Sequence, residues 1–342
     1  MDTGTVAPSN RTMTTDDILV IRGLVTEFRG RRSVVRANDD IHLAIKRGAT
    51  LGIVGESGSG KSVLCRSILR LLPASAGARV RGTVEYEGRD LLALDEEEMR
   101  RLRGTEIRMI FQNPMTSLNP VWPIGDQITE GLRVHGGLST GAARERGIEI
   151  LGRVGIPSPE RRYDEYPYQW SGGMLQRAVI AMATAGSPRL LFADEPTTAL
   201  DVTIQDQILA LLLELQERTG MTLVLISHDL AIVAETCDRI AVMYAGRIVE
   251  TAPTRSIFGW PRHPYTLGLL GSIPHLAGSD GRLKPIPGQP PDLVRLGAGC
   301  PFAPRCAYAS SDCLTTPVQL APAGPDHQTA CLHPKRIEGV QP

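Results

Sequence analysis

Leu51-Gly52-Ile53-Val54-Gly55-Glu56-Ser57-Gly58-Ser59-Gly60-Lys61-Ser62 decides the fold of this 342-residue chain. The apolar run reads as a buried strand, and glycines then alternate with small polar residues. Lys61 opens a segment that is apolar at Leu64, Ile68, Leu71 and Leu72 until Pro73 stops it. That spacing predicts a helix over residues 61–72 with one buried face. A strand, a glycine loop and a helix in this order are the setting of a phosphate-binding loop. The glycines let the chain curl until successive N–H groups point inward, and the helix start adds its positive end. Lys61 is placed to neutralise terminal phosphates, and the Ser62 hydroxyl to ligate Mg2+.

A second apolar run, Leu190-Leu191-Phe192-Ala193, ends in Asp194 and Glu195. Ligands collect at the carboxyl ends of parallel strands, so both acids are expected to face the phosphates. Asp194 suits Mg2+, and Glu195 is placed to orient and deprotonate an attacking water. A helix around residues 203–218 and a strand over 223–226 continue the alternation of a parallel sheet. Upstream, residues 18–28 and 41–45 cluster β-formers and read as strands. Between about Gly125 and Gly186 the pattern turns helical, an insert within an otherwise α/β chain. Residues 1–16 are polar and read as a flexible tail. Beyond about Pro253 the composition shifts to Pro, Gly and Cys, a separate segment expected to hold little regular structure.

With 42% apolar residues the chain can bury one large α/β domain and a smaller appendage. Lys plus Arg and Asp plus Glu balance at 37 each, which leaves no global field for a nucleic-acid backbone or an anionic membrane. No window reaches the roughly 20 apolar residues of a spanning helix, and the N-terminus carries no apolar signal core. Six cysteines in a chain read as unsecreted argue for reduced thiols or metal ligands over a disulfide frame.

Trp170-Ser171-Gly172-Gly173-Met174, followed by LQRAVIAMA, resembles the signature sequence of ABC ATPases, and Asp194-Glu195-Pro196-Thr197-Thr198-Ala199-Leu200-Asp201 resembles their acidic strand and the loop after it. Gln112 in FQNPMTSLNP is similar to the family's glutamine hinge, and His228 in ISHDL to its switch histidine. The order of the motifs is also the family's, and the resemblance covers roughly residues 18–260. It implies an α/β P-loop NTPase (RecA-like) core with an antiparallel β subdomain and a helical subdomain at about 113–186, within a nucleotide-binding domain over 17–260. It further implies ATP and Mg2+ as ligands, held by Gly55, Glu56, Ser57, Gly58, Ser59, Gly60, Lys61, Ser62 and Val63. Mg2+ would be bound by Ser62, Gln112 and Asp194, with Glu195, His228 and Lys61 catalytic. Ser171, Gly172 and Gly173 open a helix, so their N–H groups and the hydroxyl form a second phosphate cradle. In the family that cradle closes over the nucleotide held by a second ATPase subunit, and hydrolysis loosens the pair; Asp201, in the loop after the acidic strand, is implied as a further nucleotide-binding residue. Met174 stands where many members carry Gln, as it does in peptide-importer ATPases. The adenine contact stays open between Phe28 and Arg32 or a neighbour.

Cys300, Cys306, Cys313 and Cys331 follow the spacing C-x5-C-x6-C-x17-C in a Pro-rich stretch that cannot build much core alone. With His263-Pro264-Tyr265-Thr266 they resemble the C-terminal extension, here residues 261–342, of oligopeptide and dipeptide importer ATPases. Some of these hold a 4Fe-4S cluster on such cysteines; structural zinc and unligated thiols are the alternatives. Cys65 and Cys237 read as buried apolar positions. The resemblance implies two transmembrane permease subunits, a second identical or homologous ATPase, an extracytoplasmic binding protein and a peripheral place on the cytoplasmic face of the membrane. Residues 112–127 would dock the permease. A soluble ABC ATPase and an ATP-dependent iron-sulfur or redox factor are the rival readings, and nickel or another small solute the rival cargo.

Overall fold

The computed structural model describes residues 14–30, 33–198, 200–273 and 285–337, which fall into two compact units. The first comprises residues 1–46, 50–93 and 227–342. Its antiparallel sheet runs in the order Val34–Lys46, Asp17–Arg29, Ala78–Tyr86, Arg89–Asp90. Ile18, Leu19, Ile21, Leu24, Ile41, Ile45, Val84 and Tyr86 are buried along it, the apolar side of strands that cover a core. This is the antiparallel subdomain that the resemblance implied, and both strands expected upstream of the glycine loop belong to it.

In the same unit the strand Thr50–Val54, buried along its whole length, runs parallel to Arg239–Tyr244. Arg239–Tyr244 pairs antiparallel with Arg247–Pro253, which pairs in turn with His327–Thr329 and through it with Ala321–Gly324. The C-terminal residues are therefore not separate from this unit, although the described residues 285–320 hold only short 3-10 turns, the irregular structure expected from composition. They extend a sheet edge, and Pro264–Leu270 forms a helix. Fully buried Glu250 pins these pieces: its carboxylate accepts the main-chain N–H groups of Arg262 and His263 and pairs with His327 Nε2 at 2.6 Å. A buried carboxylate this well bonded offsets its own desolvation. Tyr265 and Phe302 pack on Tyr244, with ring centres 4.5 and 5.3 Å away.

The second unit comprises Arg47–Ala49 and Leu94–Ile226. Its strands Ile107–Ile110, Leu190–Asp194 and Thr222–Ser227 pair in parallel, as the strand-helix-strand alternation predicted. The long connecting helix, Val202–Thr219, buries Ile208, Leu211, Leu212 and Leu215 and ends at left-handed Gly220. Residues 113–186 hold the helices Pro114–Ser117, Ile124–Val134, Thr140–Arg153, Pro159–Arg162 and Gly172–Thr184. Gly147 lets the Thr140–Arg153 helix pack closely, since a Cβ there would stand 2.6 Å from Thr129 Cγ2. No helix among the described residues is long and apolar enough to cross a membrane.

The helix after the glycine loop spans Lys61–Ile68, not 61–72. Arg70 adopts φ 53 and the Leu71 N–H reaches back to Arg66 O, so the chain leaves the helix before Leu71 and Leu72 can join its buried face.

Candidate functional site

The phosphate loop is set by glycines that cannot be replaced without displacing backbone. Gly60 caps the Lys61–Ile68 helix at φ 102, and a Cβ there would stand 2.3 Å from Ala37 O. A Cβ on Gly55 would stand 2.1 Å from Met243 O. The Lys61 ammonium is buried and donates to Gly55 O at 2.7 Å and Glu56 O at 3.0 Å, so the side chain folds back across the mouth of the loop. Ser59 Oγ is buried without a hydrogen-bond partner among the described residues, which is the mark of a group awaiting a polar ligand. Ser57 and Gly58 stay exposed, while Ser62 and Val63 are half-buried in the first helical turn. A cradle of small residues, inward donors and one buried cation fits a polyphosphate with its Mg2+.

Glu56 is tied down from the C-terminal part of the same unit. Its N–H donates to Tyr265 Oη at 2.8 Å, and its carboxylate takes both terminal nitrogens of Arg305, at 2.7 and 3.0 Å. The pairing raises the Arg305 pKa further. His228 also lies in this unit, exposed immediately after the strand Thr222–Ser227, where Asp229 caps the helix Leu230–Thr236. Phe28 is half-buried near the end of its strand, and Arg32 lies outside the described residues.

The second unit gathers the acids. Asp194 ends its strand fully buried. Glu195, one residue on, holds φ 46, a left-handed conformation costing a non-glycine residue about 1–2 kcal/mol. Its N–H donates to Ile226 O at 3.0 Å, and its Oε2 accepts from Gln112 Nε2 and Thr198 Oγ1, each at 2.9 Å. Backbone and carboxylate are thus both fixed. Gln112, expected from its motif as a Mg2+ ligand, here donates to Glu195; neither that contact nor Thr198 was singled out from sequence.

Ser171 precedes the Gly172–Thr184 helix as its cap, yet its hydroxyl makes no bond to the helix. The first-turn N–H groups are left for another acceptor. Asp201 is already engaged, its carboxylate accepting the Ile204 N–H at 2.9 Å to cap Val202–Thr219.

Cys300, Cys306, Cys313 and Cys331 are half-buried and line one small cavity with His263 and Phe302. The Tyr308 N–H addresses the Cys306 sulfur at 3.4 Å, and the Ala303 N–H donates to the Cys300 carbonyl at 3.0 Å. Burial pushes the Cys300 thiol up and the Cys331 thiol to about 11, with the neighbouring cysteines adding to both shifts. Asp312, Cys313 and His333 also place one ligand atom each within 4.8 Å of one another. His263 is held neutral by burial, its pKa lowered to about 3, and its Nδ1 accepts the Tyr265 N–H at 3.1 Å. Cys65 and Cys237 are buried, as their apolar surroundings in the sequence implied.

Comparison with known proteins matches residues 38–198 to the ABC transporter family and residues 249–313 to the oligopeptide/dipeptide transporter C-terminal region. A peptide import ATP-binding protein of Brucella melitensis is 49% identical over 336 residues, covering 95% of this chain and 99% of that one. The oligopeptide transport ATP-binding protein of Bacillus subtilis is 51% identical over 293 residues, covering 85% of this chain and 82% of that one. Among solved structures, a dimeric ATP-binding cassette in a post-hydrolysis state with ADP and Pi is similar at a TM-score of 0.62 and 28% identity, covering 69% of this chain and 99% of that one. A Clostridium perfringens protein that is part of an ABC transporter complex is similar at 0.60 and 28%, covering 71% and 91%. The chain belongs to the ATP-binding subunits of the ABC transporter family that carry the oligopeptide/dipeptide transporter C-terminal region.

Proposed function

We propose that this ATPase subunit powers the import of di- and oligopeptides through two membrane permease subunits, paired with a second ATPase of the same kind. The observation that carries the reading is the phosphate loop, with Lys61 folded across its mouth and Ser59 Oγ buried without a partner among the described residues. In this reading the loop from Gly55 to Val63 binds the triphosphate. Ser62, Gln112 and Asp194 would hold Mg2+, which when bound would neutralise charge on the phosphates. Glu195 orients and deprotonates the attacking water, and His228 bonds the terminal phosphate or the nearby carboxylate. Ser171, Gly172 and Gly173 close over the nucleotide of the partner ATPase, so that ATP joins the pair and its hydrolysis releases it, and Asp201 contributes to nucleotide binding.

The peptide cargo is supported by the relatives' names and by the C-terminal region; nickel or another small solute is the competing cargo. Residues 17–260 form the nucleotide-binding domain of this proposal and 261–342 its extension. An extracytoplasmic binding protein delivers the cargo, and the chain sits on the cytoplasmic face of the plasma membrane. Growth on di- and tripeptides as sole nutrient, with and without the gene, tests the cargo. Loss of growth on peptides but not on free amino acids is expected; equal growth would reject peptides as the cargo.

The four cysteines are proposed to hold a 4Fe-4S cluster, supported by their shared cavity and the Tyr308 N–H donor on the Cys306 sulfur. Such a cluster, when bound, cross-links a segment that has little core of its own. Anaerobically purified protein is expected to absorb at about 400 nm and to lose that band when the four cysteines are changed to serine. A colourless preparation carrying zinc would instead favour the donor set of Asp312, Cys313 and His333, and iron-free, zinc-free protein would leave the thiols unligated.

A further inference from the structure

Glu56 places a carboxylate inside a loop shaped for anions, where an unneutralised charge would repel a triphosphate. The cation that meets it comes from 249 residues further along the chain. Arg305 sits between Cys300 and Cys306 in the Cys-Pro-Phe-Ala-Pro-Arg-Cys run, its side chain 6% exposed. Its two terminal nitrogens face the two carboxylate oxygens, fork against fork. The rest of the guanidinium is also engaged: Nε donates to Pro287 O at 2.8 Å, and Nη1 to Tyr244 Oη at 3.2 Å. With Tyr265 Oη accepting the Glu56 N–H, both the side chain and the main chain of one loop residue are held from the C-terminal segment.

We propose that Arg305 is a positioning residue for nucleotide binding: it cancels the Glu56 charge and fixes the phosphate loop, so the grip on ATP depends on the cysteine-rich segment. The proposal rests on the ATP-binding reading of the loop. It gives the segment a task in the ATPase cycle whether or not the cysteines carry metal.

The test is equilibrium binding of ATP with Mg2+ to the full-length chain, read by displacement of a fluorescent ATP analogue. Arg305→Ala is expected to weaken ATP binding about tenfold, because one partner of a desolvated charge pair has been removed and the other now faces the phosphates. The loss should shrink as salt rises, since a bare partly exposed charge is screened. Arg305→Lys, which keeps the charge and loses the fork, should lose less. The double variant Arg305→Ala with Glu56→Gln is expected to recover most of the affinity, because the repelling charge is gone. Loosening of the segment alone would not be repaired by a change at Glu56. Unchanged affinity in Arg305→Ala, or a double variant as weak as the single one, overturns the proposal while the ATP-binding reading stands. Wild-type protein without ATP affinity overturns both.

Discussion

Glu195→Gln is expected to bind ATP as tightly as the wild type while hydrolysis falls by about two orders of magnitude or more, the usual worth of a positioned base. The structure explains why the change should be this selective. Glu195 Oε2 acts as acceptor for Gln112 Nε2 and Thr198 Oγ1, and a glutamine amide oxygen can accept both bonds in the same place. Its backbone N–H to Ile226 O is untouched, so the left-handed turn at φ 46 should persist. What disappears is the proton acceptor. A drop of two to four decades corresponds to about 2.7–5.4 kcal/mol of transition-state stabilisation. Phosphate release at saturating ATP measures it, and gel filtration with ATP and Mg2+ should show a pair of ATPase subunits that no longer dissociates. Turnover near the wild-type rate would take Glu195 out of the role of base.

The parts of the site that could be read from sequence are those whose chemistry is packed into a contiguous run. The phosphate loop is legible because close backbone approach demands glycine at Gly55 and Gly60, and the clashes a Cβ would make there supply the reason. The acids at Asp194 and Glu195 are legible because a buried strand ends on them. Helix ends are less so: the apolar pattern runs on through Leu71 and Leu72, but the left-handed turn at Arg70 is not written in any residue type that favours it. The hairpin of Ala321–Gly324 and His327–Thr329 was missed for a different reason. Its sequence is poor in β-formers, and its pairing is supplied by the edge strand Arg247–Pro253, about which local composition says nothing. The Arg305 to Glu56 pair is the extreme case, since no periodicity links positions so far apart; only the burial of an arginine between two cysteines hints that it has a carboxylate to meet.

The change with the broadest expected consequence is Lys61→Ala, which should lower ATP affinity by about two orders of magnitude and abolish measurable turnover. Lys61 is 5% exposed, and its ammonium is stabilised by the two loop carbonyls it touches, Gly55 O and Glu56 O. Those bonds hold the charge where a polyphosphate enters, so truncation removes a preorganised cation and leaves nothing mobile to replace it. The fold should tolerate the loss. A buried charge is desolvated, and its removal frees two carbonyls beside an exposed stretch, Ser57 and Gly58, that water can reach; the net cost is on the order of 1–2 kcal/mol. Thermal unfolding and ATP titration on the same protein separate the two effects. A small shift in Tm with binding lost places Lys61 at the phosphates. Binding retained with Lys61 gone would mean that the loop does not grip the triphosphate at all, and the roles assigned to Ser62 and Glu195 would lose their common substrate.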